Sequence, residues 1–295
     1  MRAWRFVDSG KARGAFNMAV DETLAEGLRD GEGMPVLRMF GWSPPAVSLG
    51  YNQLLHREVD VEKCRRAGID VVRRPTGGRA VLHWEELTYS VICPEGDAKL
   101  GGTIDLTCRI VGECLALGLQ LFGVDATLEM AGPKRNALRP RTAAPPCFSS
   151  ISRWEVTCKG RKLIGSAQRR MRGVILQHGS LLLGAQHRKL VELLPPSARP
   201  VRAQWTRRLE EGSIHLQACT PQKVDTSALA ACLAEGFRRH LQVEMQPEAL
   251  NFPERQRAEE LMAEKYDDRE WTWNASAGAQ EAAAGRPGVE SGLNV

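Results

Sequence analysis

Pro146-Cys147-Phe148-Ser149-Ser150-Ile151-Ser152-Arg153-Trp154-Glu155-Val156 continues through Gly160-Arg161-Lys162-Leu163-Ile164-Gly165-Ser166-Ala167-Gln168, so a cysteine and a lysine lie close together in the chain. A free thiol is mostly protonated at neutral pH, and a nearby ammonium favours the thiolate that attacks an acyl carbon. Cys147 and Lys162 together therefore point to acyl-thioester chemistry. The run Leu163 to Ala167 reads as a buried strand, with small residues at Gly165, Ser166 and Ala167 where a ligand must approach the backbone closely. Two further blocks flank this stretch: Arg73-Arg74-Pro75-Thr76-Gly77-Gly78-Arg79-Ala80-Val81-Leu82-His83 upstream and His178-Gly179-Ser180-Leu181-Leu182-Leu183 downstream. Taken alone, Pro75-Thr76-Gly77-Gly78 is a generic tight-turn signal. An isolated His83 or His178 would read as a hydrogen-bonded structural residue.

The bulk properties narrow the field. A chain of 295 residues with 43% hydrophobic residues can bury a substantial core. Its N-terminus, Met1-Arg2-Ala3-Trp4-Arg5-Phe6, lacks the apolar run of a signal peptide, and no stretch approaches the ~20 apolar residues that span a bilayer. The expectation is a cytoplasmic protein without a membrane association. The eight cysteines form no C-x-x-C pair, which argues against a zinc ribbon or a disulfide framework, and no metal site is expected. The formal charge of +5 is spread along the chain, so nucleic-acid binding is poorly supported. A basic rim that steers an acidic protein partner fits better.

Along the chain, Asn17 reads as the cap of a helix with Asp21 and Glu22 in its first turn and Val20, Leu24 and Leu28 on one face. Strands are expected at 35–40, 46–50, 70–73, 80–83 and 87–92, and helices at 59–67 and 104–122. Residues 123–146 read as a long irregular loop leading into Cys147. Segments 154–158, 162–169 and 174–183 read as a three-stranded meander. Later helices are marked by Leu229, Leu233, Phe237 and Leu241, and by Ala258, Leu261, Met262 and Tyr266. From Ala275 the chain is Ala, Gly, Ser and Glu, which predicts a disordered tail over 275–295 after one domain spanning 1–274.

At these blocks the sequence resembles the biotin/lipoate protein ligase catalytic-domain superfamily and, within it, the LipM-type octanoyltransferases. The double arginine before Thr76-Gly77-Gly78, the Lys162-x-x-Gly165-x-Ala167 motif and the His178-Gly179 strand carry the resemblance, supported by Asn17-Met18-Ala19-Val20-Asp21-Glu22 and Glu264-Lys265-Tyr266. It implies an α+β fold with a mixed, largely antiparallel sheet flanked by helices. It also implies that Cys147 and Lys162 are catalytic. Arg73, Arg74, Thr76, Gly77, Gly78, Arg79, His83, Gly165, Ser166, Ala167, His178 and Gly179 are then expected to bind substrate. Ligases of the superfamily usually carry a third glycine where this chain has Arg79, a departure that suits a transferase holding no adenylate.

By the same resemblance, the donor is octanoyl–acyl carrier protein and the acceptor is a lysine of a lipoyl domain, such as that of the glycine cleavage H protein. Passing an acyl group from thiol to thiol and then to an amine is downhill overall, so no cofactor is expected. The alternatives are an ATP-dependent lipoate–protein ligase, which would tolerate loss of Cys147, an octanoyl amidotransferase working between lipoyl domains, and a non-catalytic acyl-protein binding module.

Overall fold

The computed structural model describes residues 2–130, 147–149 and 153–273. The expected tail at 275–295 lies outside these residues. In chain order the elements are β1 (Ala3–Ala12), α1 (Gly14–Arg29), β2 (Val36–Trp42), β3 (Ala46–Leu49), α2 (Leu55–Glu58), α3 (Val61–Arg66), β4 (Asp70–Arg73), β5 (Val81–His83), β6 (Glu86–Pro94) and α4 (Ile104–Leu121). There follow β7 (Ala126–Met130), a 3₁₀ turn at Cys147–Ser149, β8 (Arg153–Cys158), β9 (Arg161–Lys162), β10 (Ile164–Met171), β11 (Val174–Leu182) and α5 (Arg202–Gly212). The chain closes with α6 (Thr226–Leu241), β12 (Glu244–Pro247), α7 (Phe252–Leu261), a π-helical turn at Met262–Tyr266 and α8 (Arg269–Trp273). No helix among the described residues is long and apolar enough to cross a membrane.

Six strands form the main sheet in the order β10-β11-β6-β2-β1-β12. It is antiparallel from β10 to β2 and parallel where β1 meets β2 and β12. Period-two alternation sends Leu37, Met39, Tyr89 and Val91 into a core with α4 and α6. Val36, Phe40 and Ile92 point the other way, into a core with α1. Two three-stranded sheets, β4-β3-β5 and β7-β8-β9, flank the main one. The α+β architecture with helices on both faces is the one expected.

Several local expectations are corrected. The first helix begins at Gly14, a turn before Asn17, because a bare Cα at 14 lets the backbone approach Val72 and Trp42; a Cβ there would lie 3.1 Å from Val72 Cγ1. Asn17 is buried inside the helix and ties its amide to the carbonyls of Ala12 and Gly41. The stretch expected to be irregular from 123 contains β7, which pairs with β8, whereas residues 131–146 lie outside the described residues. The meander is two hairpins in different sheets: β8 and β9 pair in the small sheet, and β10 and β11 in the large one. Leu163 is the corner, its N–H bonded to the Val156 carbonyl and its own carbonyl to the Leu182 N–H.

Candidate active site

The β10–β11 hairpin, β5 and the Arg74–Arg79 loop surround a cavity of about 440 Å³, a figure that includes its open mouth. Of the residues expected from the sequence, Arg74, Gly78, His83, Cys147, Gly165, Ser166, Ala167, His178 and Gly179 line it. Met18, Trp42, Ser48, Val81, Thr88 and Ser180 line it as well. Arg73, Thr76, Gly77, Arg79 and Lys162 are not among the lining residues.

Arg73 is fully buried and spends its guanidinium on carbonyls: Nη1 donates to those of Gly50, Tyr51 and Gln53, Nε to that of Trp271 and Nη2 to that of Thr272. It holds the loop from outside. Arg74 points the other way, Nη1 donating to Ser48 O (3.0 Å) and Ser48 Oγ (2.9 Å) and Nη2 to Gly77 O (2.7 Å) and Arg79 O (2.8 Å). These acceptors are all neutral. Burial pushes the Arg74 guanidinium down to about 10, with the Cys147 sulfur as the charge that opposes the shift. A buried cation with only neutral oxygens around it leaves a positive potential in the cavity, which favours an anion there. Gly78 adopts φ 96°, and any Cβ at Gly50 would lie 2.1 Å from Gly78 O, so loop and β3 meet through two glycines.

Ser48 relays that potential. With Arg74 only donating to it, the Ser48 hydroxyl proton is left for His83 Nε2 at 2.7 Å, while His83 Nδ1 faces Glu86 Oε1 at 2.8 Å. Trp42 stacks on the His83 ring at 3.9 Å and donates its indole N–H to Thr88. His83 is thereby clamped on both faces of its hydrogen-bonding plane and along its ring.

His178 belongs to a row across the main sheet. Arg38 pairs with Ser90 and Ser90 with His178, and all three converge on Asp21 of α1, at 2.7, 2.7 and 3.3 Å. Its Nε2 meets Thr76 Oγ1 at 2.6 Å, so Thr76 anchors the loop to β11. Burial lowers the His178 pKa, with Asp21 acting against the shift. This row accounts for the Asn17 to Asp21 motif.

Cys147 is half-buried at the cavity wall, and the next residue fixes it. Phe148 is buried among Val81, Leu182, Trp205 and Leu209, the last two from α5. Lys162 lies behind that ring, Nζ 5.2 Å from the Phe148 centroid, 2% exposed and paired with the Glu155 carboxylate of β8. Among the remaining cysteines, burial pushes the thiols of Cys64 and Cys108 up to about 11 and raises those of Cys93 and Cys114 as well.

The chain belongs to the lipoyl protein ligase A/B catalytic domain family, which it matches over residues 13–238. Its relatives within that family include the octanoyltransferase LipM of Kyrpidia tusciae, 43% identical over 276 residues covering 92% of this chain and 99% of that one. The octanoyltransferase LipM of Bacillus subtilis is 37% identical over 92% of this chain and 98% of its own. The resemblance to LipM-type octanoyltransferases is thus shown. The fold is shared with the bipartite lipoate protein ligase of Thermoplasma acidophilum (TM-score 0.74, 23% identity, 92% of this chain and 96% of that one). It is likewise shared with a lipoate-protein ligase A solved with ATP (TM-score 0.73, 22% identity, 92% and 99%).

Proposed function

We propose that this protein moves an octanoyl group from octanoyl–acyl carrier protein to Cys147 and then to a lysine of a lipoyl domain, such as that of the glycine cleavage H protein. The observation that carries this reading is a half-buried cysteine at a cavity whose wall holds a buried guanidinium bonded, among the described residues, only to neutral oxygens. In the first half-reaction the Cys147 thiolate adds to the thioester carbonyl. The carbon–sulfur bond to the carrier breaks, and the carrier leaves as a thiolate that takes up a proton. In the second, a neutral lysine amine adds to the octanoyl-Cys147 carbonyl and loses a proton. The amide forms and the Cys147 thiolate returns.

Arg74 balances the negative charge as it moves from sulfur to the carbonyl oxygen and back. Lys162, held by Glu155 behind Phe148, serves as the buried ammonium that completes the positive surroundings of the nucleophile. His83, His178 and Thr76 hold the walls to which the acyl group binds. Burying the chain at ~0.8 kcal/mol per CH₂ favours medium chains over acetyl.

The test is the intact mass of the protein after incubation with octanoyl–acyl carrier protein in the absence of ATP. The expected result is one octanoyl increment, removed by hydroxylamine and mapped to Cys147, which then disappears on addition of a lipoyl domain. A label on another cysteine, or a need for ATP, would overturn the reading.

A further inference from the structure

A second cleft, about 980 Å³ with its opening, lies where α1, the π-helical turn and the β10–β11 hairpin meet. Arg29, Arg169, Arg172 and Lys265 line it, with Glu22 and Glu26 as its acids. Both acids are already engaged: Glu22 by Lys265 and the Tyr266 hydroxyl, Glu26 by Arg257 from α7. Arg29 pairs with Asp30 beside it. Arg169 donates to the Pro75 carbonyl at 2.8 Å and stacks over Tyr51, and Arg172 stands at the hairpin tip; among the described residues neither is paired with a carboxylate. Arg170 borders the cleft as well.

Arg172 occupies an unfavourable backbone position. Met171 pairs with Val174, so Arg172-Gly173 is a two-residue hairpin turn with φ of 48° and 87°. Such turns favour asparagine then glycine, because a left-handed conformation strains a long side chain. The cleft also takes in Lys265 of the π-helical turn, a distortion found most often at functional sites.

The cleft adjoins the reaction cavity. Pro75 lines one and Gly78 the other, three residues apart and so separated by at most about 11 Å. Along β10, Ala167 and Arg169 are two residues apart, about 7 Å.

We propose that this cleft binds a phosphate ester, namely the phosphodiester at the root of the donor's pantetheine arm, while the thioester at the arm's other end lies at Cys147. This inference rests on the proposed thioester donor. A doubly bonded phosphate oxygen suits the planar fork of an arginine, and the loop between the two cavities gives the arm its path.

The test compares three octanoyl thioesters: of holo acyl carrier protein, of free 4′-phosphopantetheine and of pantetheine, which lacks the phosphate. Arg172→Asn suits the turn and so folds, and Arg29→Gln changes an exposed side chain. Each variant is expected to raise KM for both phosphate-bearing donors by roughly tenfold, with kcat unchanged, and the pantetheine thioester should be used as by wild type. Unchanged KM for the phosphate-bearing donors would overturn the proposal. So would a defect confined to the protein-borne donor, since the cleft would then read the carrier's surface. If wild type accepted none of the three thioesters, the donor reading itself would fall.

Discussion

The Phe148 ring rests against the bare Cα of Gly165: a Cβ added there would lie 2.9 Å from Phe148 Cζ and 3.1 Å from Lys162 Cε. The glycine of β10 therefore sets the depth at which the residue after Cys147 is seated.

Gly165→Ala should push Phe148 outward and carry Cys147 with it. Overpacking of this kind costs about 1–3 kcal/mol, so the melting temperature should fall by several degrees while the rate of Cys147 acylation falls much further. Stopped-time mass spectrometry alongside a thermal melt separates the two. Acylation as fast as wild type would show that the ring does not position the thiol.

Arg74 and Lys162 divide the positive charge near Cys147 unequally, since among the described residues Lys162 is matched by Glu155 and Arg74 by no carboxylate. Iodoacetamide labelling of Cys147 at pH 7 should slow at least about tenfold in Arg74→Gln and less in Lys162→Met. Equal slowing, or a larger effect of Lys162→Met, would reverse the assignment. Arg74→Lys, which keeps the charge but not the fork, should recover part of the labelling rate.

Asp21 is the single carboxylate among the described partners of the fully buried Arg38. Asp21→Asn keeps the shape but strands that cation, which should cost about 3–5 kcal/mol. Urea denaturation should show a lower midpoint with unchanged slope. A loss within ~1 kcal/mol would mean that Arg38 is supported by Asn17 and Ser9 alone.

Acid should weaken the fold through its histidines. Burial pushes His187 down to about 4 and lowers His178 as well, whereas both take a proton near 6.5 once unfolded. The unfolded chain then binds more protons between those values. Stability is full above pH 6.5 and is lost as pH falls toward 4, at up to about 1.4 kcal/mol per pH unit for His187, with His178 adding a loss of the same sign. Urea midpoints at pH 7.5, 6 and 5 should fall in that order, and more shallowly in His187→Gln. A midpoint independent of pH would contradict this.

Much of the cavity was readable because its parts are short and chemically marked: a thiol, a Gly-Gly turn, and a strand of small residues at 165–167. Partners set by strand register leave no such mark. Glu155 reaches Lys162 as a diagonal neighbour across β8 and β9, where Lys162 pairs with Thr157, and Arg38 meets Asp21 through a row spanning three strands. Ser48 meets His83 through the antiparallel pairing of β3 with β5, and Trp42 stacks on His83 from the end of β2, contacts that no local pattern announces. Helix α5 leaves little trace in the sequence, because only Trp205 and Leu209 are buried along its eleven residues, and a lone i,i+4 pair amid charged neighbours is a faint periodic signal. Arg73 and Arg74 look alike in the sequence, yet Arg73 ends β4 and Arg74 is the next residue of the chain, so that one braces the loop and the other faces the cavity.

The bonds from Arg73 to the carbonyls of Trp271 and Thr272, returned by the Trp271 indole to the Arg73 carbonyl, join residues about two hundred apart. During synthesis the arginine leaves the ribosome at least ten seconds before its last acceptors, at elongation rates of about 5–20 residues per second. Until then the loop bearing Arg74 lacks its outer brace. A nascent chain that has exposed Cys147 but not yet Trp271 and Thr272 therefore carries the thiol beside a loop still open on its outer side.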